Sequence, residues 1–342
     1  MVKLRVLACI CLSSILVIGC SKDDKTVESS SSEVKTETGG EVLNEVYPLT
    51  GIATNDETDH RAVAVMINNH PAARPQSGLQ KADIVYEILA EGNVTRFLAI
   101  YQSEQPERVG PIRSARDYFI ELAEGLNSLY ISHGYSPEAK KLLDEGYVDS
   151  LNGIAYDGTL FNRDSLRKAP HNSYISFANI EKGAEDNHYT LDGQPPSFSF
   201  FSEDELEQIE GEEATNVTVG YGDNSYDVTY VFDDENEVYK RYTKGEQTID
   251  ADTNDPVLLK NIIVLEAPHK VLDSEGRRDI DLSNGGDAYL FQNGKSNKIQ
   301  WQFVDNRLTF MKDGEEVKLI PGKTWINIVP TNPSLQERVN FQ

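Results

Sequence analysis

Ala62-Val63-Ala64-Val65-Met66-Ile67 is an unbroken apolar run that stops at three polar residues, Asn68-Asn69-His70. An amphipathic helix would interleave polar residues at its own period, and a half-buried strand would alternate them. A short run with neither pattern predicts a strand covered on both faces. The segments 82–89, 96–101 and 129–132 have the same character. Between and after them come helix signals. Ser114-Ala115-Arg116-Asp117 matches a capping box, with Ala115, Tyr118, Phe119, Leu122 and Leu126 at helical spacing behind it. Ser136-Pro137 reads as the N-cap and first residue of a helix running through Leu143. The alternation predicts an α/β N-terminal domain, a mixed sheet with helices, over residues 47–192.

The texture changes at Gly193-Gln194-Pro195-Pro196, which is followed by an acidic stretch from Glu203 to Glu213, so a linker is expected over 193–215. From residue 216 to about 335 short alternating runs are separated by turn residues, including Asp233-Asp234-Glu235-Asn236, Gln292-Asn293-Gly294 and Lys312-Asp313-Gly314. These predict a mainly antiparallel β domain, a meander or small barrel.

At the other end, Lys3 and Arg5 precede an apolar run, 6–18, that is shorter than the ~20 residues of a membrane-spanning helix. The run closes on Val17-Ile18-Gly19-Cys20, and a polar, Ser- and Glu-rich tract follows at once. This predicts a signal over 1–19, a lipidated Cys20 and a flexible tether over 20–46 that is too poor in apolar residues to fold. The pattern resembles the lipobox of bacterial lipoproteins, and the resemblance implies removal of residues 1–19 and a diacylglycerol on Cys20, whose two acyl chains would hold the chain at the outer face of the cytoplasmic membrane.

Cys9 and Cys11 would leave with the signal, and Cys20 would carry lipid, so the mature chain would hold neither a disulfide nor a catalytic thiol. The formal net charge is -24. Nucleic acid and anionic headgroups are therefore poor bulk partners. A local basic pocket in so acidic a chain is correspondingly conspicuous, and one is suggested by Val109-Gly110-Pro111-Ile112-Arg113-Ser114-Ala115-Arg116-Asp117. Arg113 and Arg116 flank a predicted helix start, where the backbone already presents free N–H groups and positive partial charge. Cations there are unfavourable unless an anion compensates. That anion is either a ligand or a nearby carboxylate such as Asp83, Glu87, Glu91 or Asp117. Ser114, Arg96 and Asn68 complete the candidate anion site.

Polar residues also gather at the predicted strand ends where open α/β sheets bind ligands: Asn68-Asn69-His70, Ser132-His133-Gly134 and, on a loop with Arg163 and Lys168, His171. Each histidine alone has a structural explanation; their convergence would be informative. Enzyme signatures are otherwise poor. Gly134-Tyr135-Ser136-Pro137-Glu138 lacks the second glycine of a nucleophile elbow. Gly322-Lys323-Thr324 has Val317 where a phosphate loop needs glycine, and a strand-like segment follows it. No metal site and no cofactor are expected.

The segments Ala82-Asp83-Ile84-Val85-Tyr86-Glu87, Thr95-Arg96-Phe97-Leu98-Ala99, Gly110-Pro111-Ile112-Arg113-Ser114-Ala115-Arg116 and Pro321-Gly322-Lys323-Thr324-Trp325-Ile326 resemble the YerB-like lipoproteins of Gram-positive bacteria. The resemblance implies two domains, a location on the outer face of the membrane and no assigned activity. The expected function is a non-catalytic binding or accessory module of the cell envelope, serving peptidoglycan metabolism. Its expected contacts are the membrane through Cys20 and a protein or wall glycan. The alternative is a hydrolase or transferase acting on wall material, with His133 or His171 as general base, Asp83 or Glu87 as supporting carboxylates and the arginines facing a developing oxyanion.

Overall fold

Val63–Asn68 is a strand with every residue buried. It lies between Val94–Tyr101, antiparallel to it, and Leu129–Ser132, parallel to it. Side chains alternate across a strand. Val63, Val65 and Ile67 therefore enter one apolar core, while Ala62, Ala64 and Met66 enter another on the opposite face. Two cores on two faces explain why the run carries no polar residue. The computed structural model describes residues 43–342. Cys20, the signal and the tether up to residue 42 fall outside the described residues. Among the described residues no helix is long and apolar enough to cross a membrane.

The N-terminal part is a mixed sheet with a few helices, and the C-terminal part is mostly antiparallel strands, as the sequence predicts. The two are joined more closely than a change of texture suggests. Thr324–Pro330 lies between Ile84–Glu91 of the N-terminal part and Asn261–Ala267 of the C-terminal part, parallel to both. A single sheet of 12 strands results, running from the antiparallel meander Gly286–Gln292, Lys295–Val304 and Arg307–Lys312 to Ser150–Asn152 at the far edge. A second sheet, of 6 strands, includes Val228–Asp233 and Val238–Thr243. It covers one face through Tyr221, Tyr230 and Tyr239, beside the Phe177–Asp186 helix. The Asp117–Glu124 helix covers the other face with Tyr118, Phe119 and Leu122. C-terminal strands thus close a meander within an open sheet, not a barrel. Residues 193–215 run along this body: Phe201 N donates to Leu319 O at 2.9 Å, and Glu212–Glu213 pairs with Lys295–Val304.

The helix after the Arg-rich motif starts later than the capping box predicts. Arg116 is its N-cap and makes no side-chain cap; Asp117 is the first helical residue. Ser114 Oγ instead donates to His133 O at 3.1 Å. The reason lies in the flanking backbone. Arg113 N donates to Met66 O and Ala115 N to Gly134 O, each at 2.9 Å, so Ser114 is held extended between two strand ends. The Ser136 cap forms as predicted, accepting from Ala139 N at 3.2 Å at the start of Pro137–Asp144.

His269 gives the fold a pH dependence. Its Nδ1–H donates to Ala267 O at 2.8 Å, while Nε2 is buried without a partner. Burial holds its pKa down to about 4. A histidine that protonates more readily when unfolded withdraws stability as pH falls below its ordinary value of about 6.5. Thermal melts from pH 7 to pH 5 should lose on the order of 2 kcal/mol through this group. His269→Gln should melt with a distinctly shallower pH dependence. An equally steep profile in the variant would remove His269 from the account.

Candidate functional site

Three arginines surround one carboxylate at the C-terminal end of Ile84–Glu91. Arg96 Nη2 donates to Glu91 Oε1 at 2.5 Å, and Arg116 Nη2 donates to the same oxygen. The side chains of Arg96 and Arg116 are only 2% and 6% exposed. Each also caps a carbonyl, Arg96 that of Ser114 and Arg116 that of Ala115. The two arginines of the motif therefore do not act as a free pair at a helix start, because Arg116 is already held. Burial and the neighbouring Arg116 lower the Arg96 pKa to about 10. Arg113 is the third guanidinium. It is half-buried and makes no side-chain hydrogen bond or ion pair among the described residues. Burial lowers its pKa, Glu91 opposes that shift and Arg116 adds to it.

Beside Arg113 the structure gathers residues that lie far apart in sequence. Asn68 ends its strand fully buried and fixes two histidines at once. Its Oδ1 accepts from His70 N at 2.9 Å, and its Nδ2 donates to His171 Nδ1 at 2.8 Å. The two imidazoles stack with centroids 4.5 Å apart. His70 Nδ1 accepts from Ala72 N at 3.1 Å. A backbone N–H and the NH2 of an amide can only donate, so both Nδ1 atoms carry lone pairs and both Nε2 atoms carry the proton of a neutral ring. Burial lowers both pKa values, with Arg113 and, for His171, the His70 ring adding to the effect. Neither Nε2 has a partner among the described residues. The corner therefore presents donors only: Arg113 and two imidazole N–H groups. Arg167 ties it together by donating to Pro75 O at 2.6 Å, which joins the His171 loop to the segment after His70.

His133 is close by but differently engaged. Its Nε2 accepts from Arg163 Nη2 at 2.9 Å, and Arg163 in turn pairs with Asp157. The ring proton is thereby assigned to Nδ1, which donates to Ser173 Oγ at 2.7 Å. A general base for a serine needs the opposite polarity. The buried Ser173 hydroxyl is thus a hydrogen-bond acceptor here, not an activated nucleophile. Gly153 packs under the His133 ring so tightly that a Cβ there would collide with it. Burial and Arg163 lower the His133 pKa.

Asp83 and Glu87 do not join this cluster. Asp83 sits at the opposite end of the strand from Glu91, where it accepts from Gln102 N at 2.6 Å, from Ser103 N at 2.9 Å and from the Ser103 hydroxyl. Burial nonetheless raises its pKa. Glu87 is wholly buried in mid-strand. It accepts from Thr95 Oγ1 at 3.0 Å and Asn69 Nδ2 at 3.2 Å on one oxygen, and from Arg241 Nη2 at 2.8 Å and Trp325 Nε1 at 3.1 Å on the other. The Arg241 guanidinium lies 4.6 Å from the Trp325 ring centroid. Sequence reasoning places Glu87 near the chemistry and misses Arg241 and Ser173. The signal for Arg241 was available: in Val238–Thr243 it shares the inward phase of Tyr239 and Thr243.

Residues 49–190 match the family model described as the N-terminal domain of a protein of unknown function, DUF3048, and residues 217–326 match its C-terminal domain. The chain belongs to this family. YerB of Bacillus subtilis (strain 168), provisionally named as a lipoprotein, is 44% identical over 333 residues, which is 96% of each chain. The crystal structure of the YerB protein from Bacillus subtilis superposes with a TM-score of 0.80 at 46% identity, covering 87% of this chain and 99% of that one. Within the DUF3048 frame, Asn68, Arg96, Arg113 and Arg116 fall in the N-terminal match and Arg241 and Trp325 in the C-terminal one, so the Glu87 network links the two.

Proposed function

We propose that the protein is an envelope lipoprotein, anchored through Cys20 at the outer face of the cytoplasmic membrane. On this reading it works as a non-catalytic binding or accessory module in wall metabolism and recognises an anionic group at Arg113. The lipobox-like sequence and the lipoprotein name of the Bacillus relative support the anchoring. The observation that carries the binding is the Arg113 guanidinium, unpartnered among the described residues, beside two imidazole N–H groups also without partners there, in a cluster where Arg96 and Arg116 share Glu91. Such a site suits a carboxylate or phosphate of a wall polymer or of a partner protein. The orientation of His133 gives the hydrolase alternative no support.

Titration of the full chain in detergent micelles with soluble peptidoglycan fragments and with inorganic phosphate, by calorimetry, tests this reading. Arg113→Ala should weaken binding at least about tenfold, or ~1.4 kcal/mol. Its melting temperature should stay close to that of the parent, because the side chain makes no hydrogen bond or ion pair among the described residues. Unchanged binding in the variant, or unfolding of the domain, would overturn the assignment of Arg113 as the ligand-holding group.

A further inference from the structure

A concavity lies beside the segment that follows His70. It has a volume of about 410 Å³ and opens between residues 69–76 and residues 241–249, that is, between the N-terminal and C-terminal family matches. Small-molecule sites concentrate at such junctions and in this size range, where apolar walls surround a few convergent polar groups. Pro71, Pro75 and Ile249 supply apolar wall. The charged lining is Arg74, Arg241, Lys244 and, opposing them, Glu246.

The cations differ in how far the protein already satisfies them. Arg241 is paired with Glu87, and its Nη1 donates to Thr243 Oγ1 at 3.1 Å and Thr248 Oγ1 at 2.8 Å. Its buried Nε has no partner. Arg74 donates through Nε to Asn69 Oδ1 at 2.9 Å and through Nη2 to Ser225 O and Asn69 O, each at 2.8 Å. All of these acceptors are neutral, and Arg74 Nη1 makes no hydrogen bond among the described residues. Lys244 has neither an ion pair nor a hydrogen bond there. Burial, together with the adjacent Arg241, brings the Arg74 pKa down to about 10. A guanidinium that is desolvated beside a second one, with donors to spare and no carboxylate bonded to it, is a receptor for negative charge.

We infer that this cavity is a second ligand site, separate from the Arg113 corner, for a small molecule that carries one oxyanion. The carboxylate or phosphate sits on Arg74 Nη1 and Lys244 Nζ, and the body of the molecule lies against Pro71, Pro75 and Ile249. Arg241, which Glu87 holds from within, is part of the lining, and the lining comes from both family segments, so an occupant touches both and stabilises their junction.

Calorimetric titration of the full chain in detergent with benzoate, phenyl phosphate and the uncharged benzamide tests this. The two anions should bind with dissociation constants of about 1 mM or below, and benzamide at least about tenfold more weakly. The tighter anion identifies the head group as carboxylate or phosphate. Lys244→Glu reverses a charge that makes no hydrogen bond or ion pair among the described residues, and Gln247→Trp fills the cavity from its wall. Each should weaken the anions at least about tenfold. The titrations are run in the Arg113→Ala background, which removes the other proposed anion site, so this site and the Arg113 site fail or stand separately. Absence of binding up to about 10 mM, equal affinity for benzamide, or affinities untouched by Lys244→Glu and Gln247→Trp would overturn the inference.

Discussion

Glu87→Ala should cost about 3–5 kcal/mol, the largest loss expected of any single substitution considered, because it strands a buried cation. The Arg241 side chain is 2% exposed and its one carboxylate partner is Glu87, whose side chain is 0% exposed. Removing that charge leaves the guanidinium facing Thr243, Thr248 and the Phe97 and Trp325 rings, which help orient it but do not neutralise it. It also releases the Trp325 indole N–H, Thr95 and Asn69 from their shared acceptor. The double variant Glu87→Ala, Arg241→Met should recover part of the loss, since it removes the stranded cation while the space and the freed donors left by Glu87 remain. Chemical denaturation of the parent, single and double variants measures the coupling. A single variant that unfolds within a few tenths of a kcal/mol of the parent would refute the buried ion pair as a stabilising contact.

Glu91→Ala is the second large effect, for a related but distinct reason. Glu91 bonds Arg96 and Arg116 through one oxygen, while the Arg113 side chain stands nearby with no hydrogen bond or ion pair among the described residues. Without Glu91 three guanidinium groups would be left with no counter-charge, and a loss of about 2–4 kcal/mol is expected. Unlike Glu87, Glu91 is partly open to solvent, with its side chain 27% exposed. An added oxyanion can therefore reach the position its carboxylate leaves. Inorganic phosphate should raise the melting temperature of Glu91→Ala markedly more than that of the parent. Equal effects on both proteins would mean that phosphate does not enter the arginine cluster.

Much of the architecture is legible in the residues, because burial on two faces writes itself as an unbroken apolar run. Val63–Asn68 and its neighbours were readable for that reason. The chain register of Ser114 was not, because its extended backbone is imposed by Met66, His133 and Gly134 from other segments, and these outweigh a local capping pattern. Thr324–Pro330 reads as one more strand of a β domain, since its sequence does not say which strands it separates. At the site, Asn68, Arg113 and His171 could be listed from strand-end and helix-start logic. Their polarity could not, because the tautomer of each histidine depends on partners that lie far away in the chain.

The position of Thr324–Pro330 also bears on the order in which the protein can come into being. This strand is synthesised after both of the strands it separates, yet it occupies the middle of the large sheet. Until it emerges, Ile84–Glu91 and Asn261–Ala267 each have an unpaired edge, and the buried faces of both parts lack the Trp325, Ile326 and Ile328 side chains. A growing chain cannot complete its first half and then append its second. The native sheet closes only once Thr324–Pro330 is available, which makes that strand the keystone of assembly.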